Sequence, residues 1–415
     1  MAIYKRHLTI VIGLIGHLLT MQAAIPMTIS VTGDGGTFMR GTIIDKELSS
    51  SPIPILGGEV SIDWTLLGHS AWNYPSLGVA VGAHNLGNSV SMGQAITAYG
   101  FMRIPFFRVK HFEMGIRPGV GIACVTKWYG NTVPKDKHYT PGAIKLDGVN
   151  GAIGSCANAY LTAALYMSFP IQDGWALALA GGWHHISNAS IMQPNTGYNT
   201  IMGQVGVQYT LFDARETMHH HPLRWPYSPQ KQWGVEIWGT GGLRQAYFAD
   251  NKFYGIATAG VSVHWRACEI FKLGIGGDFF YDGYYTEVTV GENRTSRFSK
   301  TYLTTSDKNN CYRVGISLQP EFVIGRFMAG IHIGVYMLDP IKNYEPYSTA
   351  AERGDLHRGI FYSYDILEGG RIQDGWLYTR FVMKYRVSKH IFAQLGLKTH
   401  GPKAEFMDAG LGVCF

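Results

Sequence analysis

The residues that most restrict this chain alternate in twos. From Asp173 to Ser187, one set carries Trp175, Leu177, Leu179, Gly181 and Trp183, and the other Gly174, Ala176, Ala178, Ala180 and Gly182. The run from Asn199 to Leu211 puts Ile201, Val205, Val207, Tyr209 and Leu211 on one side and Thr200, Gln204, Gln208 and Thr210 on the other. A period of two belongs to a strand, whose successive side chains leave opposite faces. A soluble barrel turns its large apolar residues inward. Here the small and polar set suits an interior and the bulky set suits hydrocarbon, the alternation of a transmembrane barrel. No stretch has a convincing amphipathic helical period. Past the N-terminus, none offers the roughly 20 unbroken apolar residues of a spanning helix.

Segments of this kind number about sixteen, the first eight running roughly from 26–36 and 58–68 to 199–212 and the second eight roughly from 232–246 to 403–415. Their connections differ in length. Those near Cys268, Gly325 and Lys389 are very short, whereas long polar loops fall at about 129–155, 284–310 and 339–374. Short turns at one end and long loops at the other match the periplasmic and extracellular ends of such a barrel. The fold class is therefore all-β, a transmembrane antiparallel outer-membrane β-barrel. It would have about 14–16 strands, or be an eight-stranded barrel plus a related second half.

Composition agrees. Only 15% of the 415 residues are charged and 46% are hydrophobic, sparse charge for a soluble protein. Lys5 and Arg6 precede an apolar run from Leu8 to Leu19, and Ala23 and Ala24 follow. That is the order of a secretory signal peptide, too short to span a bilayer. The expected layout is thus a signal peptide over 1–24, a first half over 25–212, a periplasmic linker over 213–231 and a second half over 232–415. The net charge of +6 is spread along the chain and gives no footprint for nucleic acid. Five cysteines, Cys124, Cys156, Cys268, Cys311 and Cys414, lack metal-ligand spacing. Cys124 and Cys156 fall on neighbouring segments, where a disulfide is one option. His219, His220 and His221 stand in the linker with three prolines, and read as solvated polar sequence rather than a metal site.

The two halves look like diverged repeats. Ile96 to Gly121 aligns loosely with Ile256 to Gly277, and Trp183-His184-His185 with Lys398-Thr399-His400. The chain ends Asp408-x-Gly410-x-x-Val413-x-Phe415, which resembles the signal through which outer-membrane proteins meet their assembly machinery. One such signal favours one large barrel over two small ones. In the second half, Arg380, Lys384 and Arg386 share an inward face, as do Arg313 and Glu321. They would line a channel or pair inside a filled barrel, and pairing is the preferred reading.

One stretch carries chemistry. His185 and Ser187 lie two apart on a strand and so share a face, where the imidazole can act as general base for the hydroxyl. That face continues the one assigned to lipid, so the pair suits an ester whose acyl chain lies in a membrane leaflet. His184, on the opposite face, reads as an interior polar residue. The run His185-Ile186-Ser187-Asn188-Ala189, continuing to Gln193-Pro194-Asn195 and Gly197, resembles the PagL family of outer-membrane lipid A 3-O-deacylases. The resemblance covers about fifteen residues, at the top of a seventh strand and into an eighth, and residues 25–212 suffice for an eight-stranded family barrel. The chain beyond exceeds the family's usual size and shows no matching motif.

What the resemblance implies is hydrolysis of an ester-linked acyl chain of lipid A, without cofactor or metal. Ser187 would be the nucleophile and His185 its base. Asn188, with backbone N–H groups near Ala189 and Ser190, would hold the oxyanion. The family's third member is a glutamate, and the position matching it is Asn199, which can orient the imidazole but cannot stabilise its positive charge. Partners would be lipid A or lipopolysaccharide and the assembly machinery, and the location the bacterial outer membrane. The alternatives are a non-catalytic channel or structural barrel with a decayed site, or an outer-membrane phospholipase.

Overall fold

A computed structural model of the chain describes residues 26–39, 53–67, 69–133, 148–211, 232–245, 252–286, 308–339, 356–358, 362–365, 370–374, 377–400 and 403–415. The expected signal peptide, the linker with its three histidines and most of the long-loop sequence lie outside them. The first half forms β1 (Met27–Phe38), β2 (Ile55–Thr65), β3 (Ser76–Asn85), β4 (Gln94–Val109), β5 (Phe112–Val125), β6 (Ala157–Gln172), β7 (Trp175–Ser187) and β8 (Tyr198–Leu211). Each boundary falls within three residues of its expected place; β2 is the most shifted.

These eight strands close on themselves. β1 pairs antiparallel with β2 and also with β8, in register from Met27 opposite Leu211 to Phe38 opposite Thr200. The second half closes likewise. Its strands are β9 (Trp233–Arg244), β10 (Tyr254–Arg266), β11 (Phe271–Asp282), β12 (Tyr312–Ile324), β13 (Phe327–Leu338), β17 (Leu377–Arg386), β18 (Ile391–His400) and β19 (Lys403–Cys414), with β19 paired to β9. Three short strands, β14 (Leu356–Arg358), β15 (Tyr362–Asp365) and β16 (Gly370–Asp374), make a small separate sheet inside the expected 339–374 loop. The preference for one large barrel is thus corrected: there are two closed eight-stranded barrels. The terminal motif carries no information about which strands pair, whereas closure pairs the first and last strands of each half with one another and leaves no open sheet edge.

The outward residues are the expected ones. Ile201, Val205 and Val207 are exposed on β8, as are Trp175 and Leu177 on β7, while Thr200, Gln204 and Gln208 are buried. Interiors are filled with paired charge. In the first barrel Arg117 reaches Glu59 at 2.7 Å, Arg108 reaches Glu113 at 2.7 Å and Arg103 reaches Asp63 at 3.3 Å. In the second, Lys384 contacts Glu236 at 2.7 Å and Glu321 at 2.6 Å, Arg380 contacts Asp408 at 2.8 Å, and Arg313 contacts Glu405 at 2.8 Å. The pairing reading of Arg313, Glu321, Arg380 and Lys384 holds. None of the five cysteines is in a disulfide, so Cys124 and Cys156 are not joined.

The repeat alignments need correction. Ile96–Gly121 lies on the fourth and fifth strands of its barrel, but Ile256–Gly277 lies on the second and third of the other. β7 and β18 are both seventh strands, yet His400 is buried against the Tyr336 hydroxyl at 2.8 Å. It therefore matches the inward His184, which meets the Tyr160 hydroxyl at 2.5 Å, and not His185.

The barrels touch at their short-turn ends. Trp72, in the turn between β2 and β3, donates its indole N–H to the Val323 carbonyl at 2.9 Å. It packs with Met102, Cys268, Ile270 and Ile324 in one apolar cluster. Met102 belongs to the outward register of β4 and is nonetheless buried, because the other barrel covers it.

Candidate active site

β7 and β8 run side by side in a register that sets His185 opposite Asn199. Both side chains leave the outer wall near the long-loop end, so an acceptor lies beside one imidazole nitrogen. His185 Nδ1 is 2.8 Å from Asn199 Oδ1, and His185 Nε2 is 2.8 Å from Ser187 Oγ. The three residues singled out from sequence thus form one continuous relay.

Trp183 fixes the direction of that relay. Its indole Nε1–H, a group that can only donate, points at the same Asn199 oxygen at 3.0 Å. The atom facing it must therefore be the amide oxygen and not the NH2, which settles an otherwise ambiguous amide orientation. That oxygen then accepts from His185 Nδ1–H. In the neutral ring this leaves Nε2 unprotonated, so the Ser187 hydroxyl donates to it, the arrangement a general base requires. Trp183 also stacks on the imidazole, with centroids 5.4 Å apart and planes 18° from parallel. By its alternation alone, Trp183 belongs with the lipid-facing residues. Its spacing of two before His185 was the signal available, since it puts a donor-only ring on the same face as His185 and Ser187.

Gly197 bounds the ring from the other side. Its φ is +75°, and a Cβ there would meet His185 Cε1 at 2.6 Å. A side chain at this position would strain the backbone and push the imidazole from its partners.

The loop after β7 is braced by asparagines. The Asn188 backbone N–H donates to Asn195 Oδ1 at 2.9 Å, its amide NH2 donates to Ser155 Oγ at 2.9 Å, and its Oδ1 accepts from Met192 N–H at 3.3 Å. Ser155 and Asn195 had no role in the sequence reading; Asn195 was visible there only as part of the motif. Ala189 and Ser190 follow with φ of +52° and +65°, a left-handed conformation that non-glycine residues seldom adopt. Among the described residues, no protein acceptor meets either of their backbone N–H groups. Asn188 is therefore committed to the loop's shape, and the two donors left over are the next in sequence. Ser187, Asn188, Ala189 and Ser190 are all buried. Among the described residues, no group of three or more His, Cys, Asp or Glu side chains is placed to hold a metal ion.

Residues 56–208 match the family model described as lipid A 3-O-deacylase (PagL). Residues 233–368 and 363–415 match a second, described as acyloxyacyl hydrolase, C-terminal domain. The chain belongs to the PagL-like lipid A 3-O-deacylase family. The PagL match spans most of the first barrel, including the His185–Ser187–Asn199 relay, and the C-terminal match spans the second. The second half therefore has a family pattern of its own, although it lacks the motif of the first. No curated protein matches the chain. Among solved structures, Neisserial surface protein A is similar at 10% identity and a TM-score of 0.27, covering 46% of this chain and 98% of that one. The FrpB iron transporter from Neisseria meningitidis is similar at 10% identity and 0.25, covering 95% and 71%. At such scores neither bears on how this PagL-family chain works.

Proposed function

We propose that the chain is an outer-membrane serine esterase that removes an ester-linked acyl chain from lipid A. The observation that carries this reading is the unbroken relay from Asn199 Oδ1 through His185 to Ser187 Oγ, 2.8 Å at each step, on the outer wall of a barrel. A site on that wall is of little use for a dissolved substrate. It meets an acyl chain already lying in the leaflet.

Ser187 Oγ attacks the ester carbonyl as its proton passes to His185 Nε2. The carbonyl oxygen takes up negative charge facing the Ala189 and Ser190 N–H groups, held in place by Asn188; in serine hydrolases such a donor contributes about 3–4 kcal/mol. His185 then gives that proton to the departing sugar oxygen, which leaves as a hydroxyl, and water, activated by the same nitrogen, cleaves the acyl-serine to free fatty acid and regenerates Ser187. His185, Ser187 and Asn199 are the catalytic residues of this scheme, and no metal or cofactor enters it. The long-loop end, where the relay sits, would face outside the cell, and 213–231 the periplasm. Buried ion pairs across both interiors, such as Arg117–Glu59 and Arg380–Asp408, favour this over the channel reading.

Purified protein incubated with lipopolysaccharide should release free fatty acid and leave lipid A lighter by one acyl chain in its mass spectrum. Unchanged lipid A, with acyl release from phospholipid vesicles instead, would move the substrate to phospholipid. Asn199 gives a finer test. Asn199→Ala removes the acceptor that holds the imidazole tautomer, and should lower kcat tenfold or more, on the order of 1.4 kcal/mol. Asn199→Glu keeps an acceptor and adds a charge to stabilise the imidazolium, so activity at neutral pH should be retained or raised. Equal rates for the native protein and Asn199→Ala would make the position a bystander.

A further inference from the structure

The loop after β7 does not end its contacts within its own barrel. Gln245, one residue past β9, donates its backbone N–H to the carbonyl oxygens of Ser190 at 3.1 Å and Ile191 at 3.2 Å. Its side-chain Oε1 accepts from the Gln193 N–H at 2.9 Å. Ser190 Oγ donates to the Ala404 carbonyl, at the start of β19, at 3.1 Å. Gln245 is only 5% exposed and Ser190 3%. Four hydrogen bonds from the second barrel thus fall on the few residues that follow the nucleophile.

Their position matters more than their number. Ala189 and Ser190 both hold left-handed φ angles, and non-glycine residues keep such a backbone only where the surroundings over-determine it. The first barrel supplies the near side of that constraint through Asn188, Asn195 and Ser155. The far side, the carbonyl and hydroxyl of Ser190 itself, is held by the second barrel. With both fixed, the Ser190 N–H has little freedom to turn. Donors aimed in advance at the developing charge need no reorganisation during reaction, which is where their catalytic effect comes from.

We infer that the second barrel completes the esterase site, with Gln245 as a positioning residue that holds the Ala189 and Ser190 N–H groups toward the oxyanion. This rests on the esterase reading above. It gives the second barrel, which has no such relay among its described residues, a part in the reaction.

The test uses the full chain and lipopolysaccharide, with Ser187→Ala and Gln245→Ala beside the native protein. Gln245→Ala leaves a heat-modifiable barrel but removes the acceptor for Gln193, and Gln245→Pro also removes the N–H that the Ser190 and Ile191 carbonyls accept. The kcat of each, per folded molecule, should fall, by about tenfold in the proline variant, with KM nearly unchanged. The rate at which a fluorophosphonate labels Ser187 should fall with it, since that reaction also builds charge on an oxygen facing the same donors. Gln245→Leu, which keeps the side-chain bulk, takes its place if the alanine variant does not fold. Wild-type kcat and labelling per folded molecule in both Gln245 variants, or a change confined to KM, overturns the inference. If Ser187→Ala still releases acyl chains, the esterase reading itself fails. If it does not, while both Gln245 variants behave as native, only the clamp is lost.

Discussion

Replacing Ser187 by alanine is expected to abolish acyl release from lipopolysaccharide while leaving both barrels folded. Removing the nucleophile of a serine hydrolase costs on the order of 10⁴–10⁶ in kcat, because the remaining groups act only on it. Ser187 is the last residue of β7 and its hydroxyl is bonded to His185. Its loss breaks no strand pairing, since the ladder uses backbone groups and Ser187 lies opposite Ala159. The gel shift on heating should therefore be native. Fatty acid release per folded molecule reads the result, and undiminished release would remove Ser187 from the mechanism.

The second large effect concerns the other barrel. Lys384 Nζ lies between Glu236 and Glu321, while Lys272 bonds both from the opposite side, 2.9 Å from Glu321. His332 donates to Glu321 at 2.9 Å. Two lysines thus face two carboxylates, all four buried. Lys384→Met keeps the length of the side chain and leaves one carboxylate uncompensated, which should destabilise the fold by about 3–5 kcal/mol. Removing both members of a pair restores the balance of charge, so Lys384→Met with Glu321→Leu should recover much of that loss. Urea unfolding followed on gels measures both variants. A single variant with the native midpoint would show that the cluster is not a closed electrostatic unit.

What could be read from the residues divides along a physical line. Strand positions and faces were legible because each is a local property: the alternation through Ile201, Val205 and Val207 needs no knowledge of partners. The His185–Ser187–Asn199 relay was legible for the same reason, since two strands joined by one loop fix their own register. Closure was not. β8 pairs with β1 across a separation of nearly the whole first half, and the same strands with the same faces would serve a larger ring. The contacts between barrels were hidden too. Met102 and Gln245 have nothing in their spacing to separate a lipid-facing or loop residue from one covered by a neighbour. Trp183 was misread by half: its apolar body was seen, but not its single N–H.

That N–H has a consequence for the resting state of the proposed esterase. It turns Asn199 so that the relay is held by an amide oxygen, and until the hydroxyl proton moves no member of the relay carries a formal charge. The wall that bears it faces hydrocarbon, where an isolated ionised carboxylate is costly to keep out of water. A glutamate at this position would have to be held there through every idle moment in order to help during a brief transition. On the proposed mechanism, the asparagine gives up that help and leaves a surface that is electrically silent until an ester arrives.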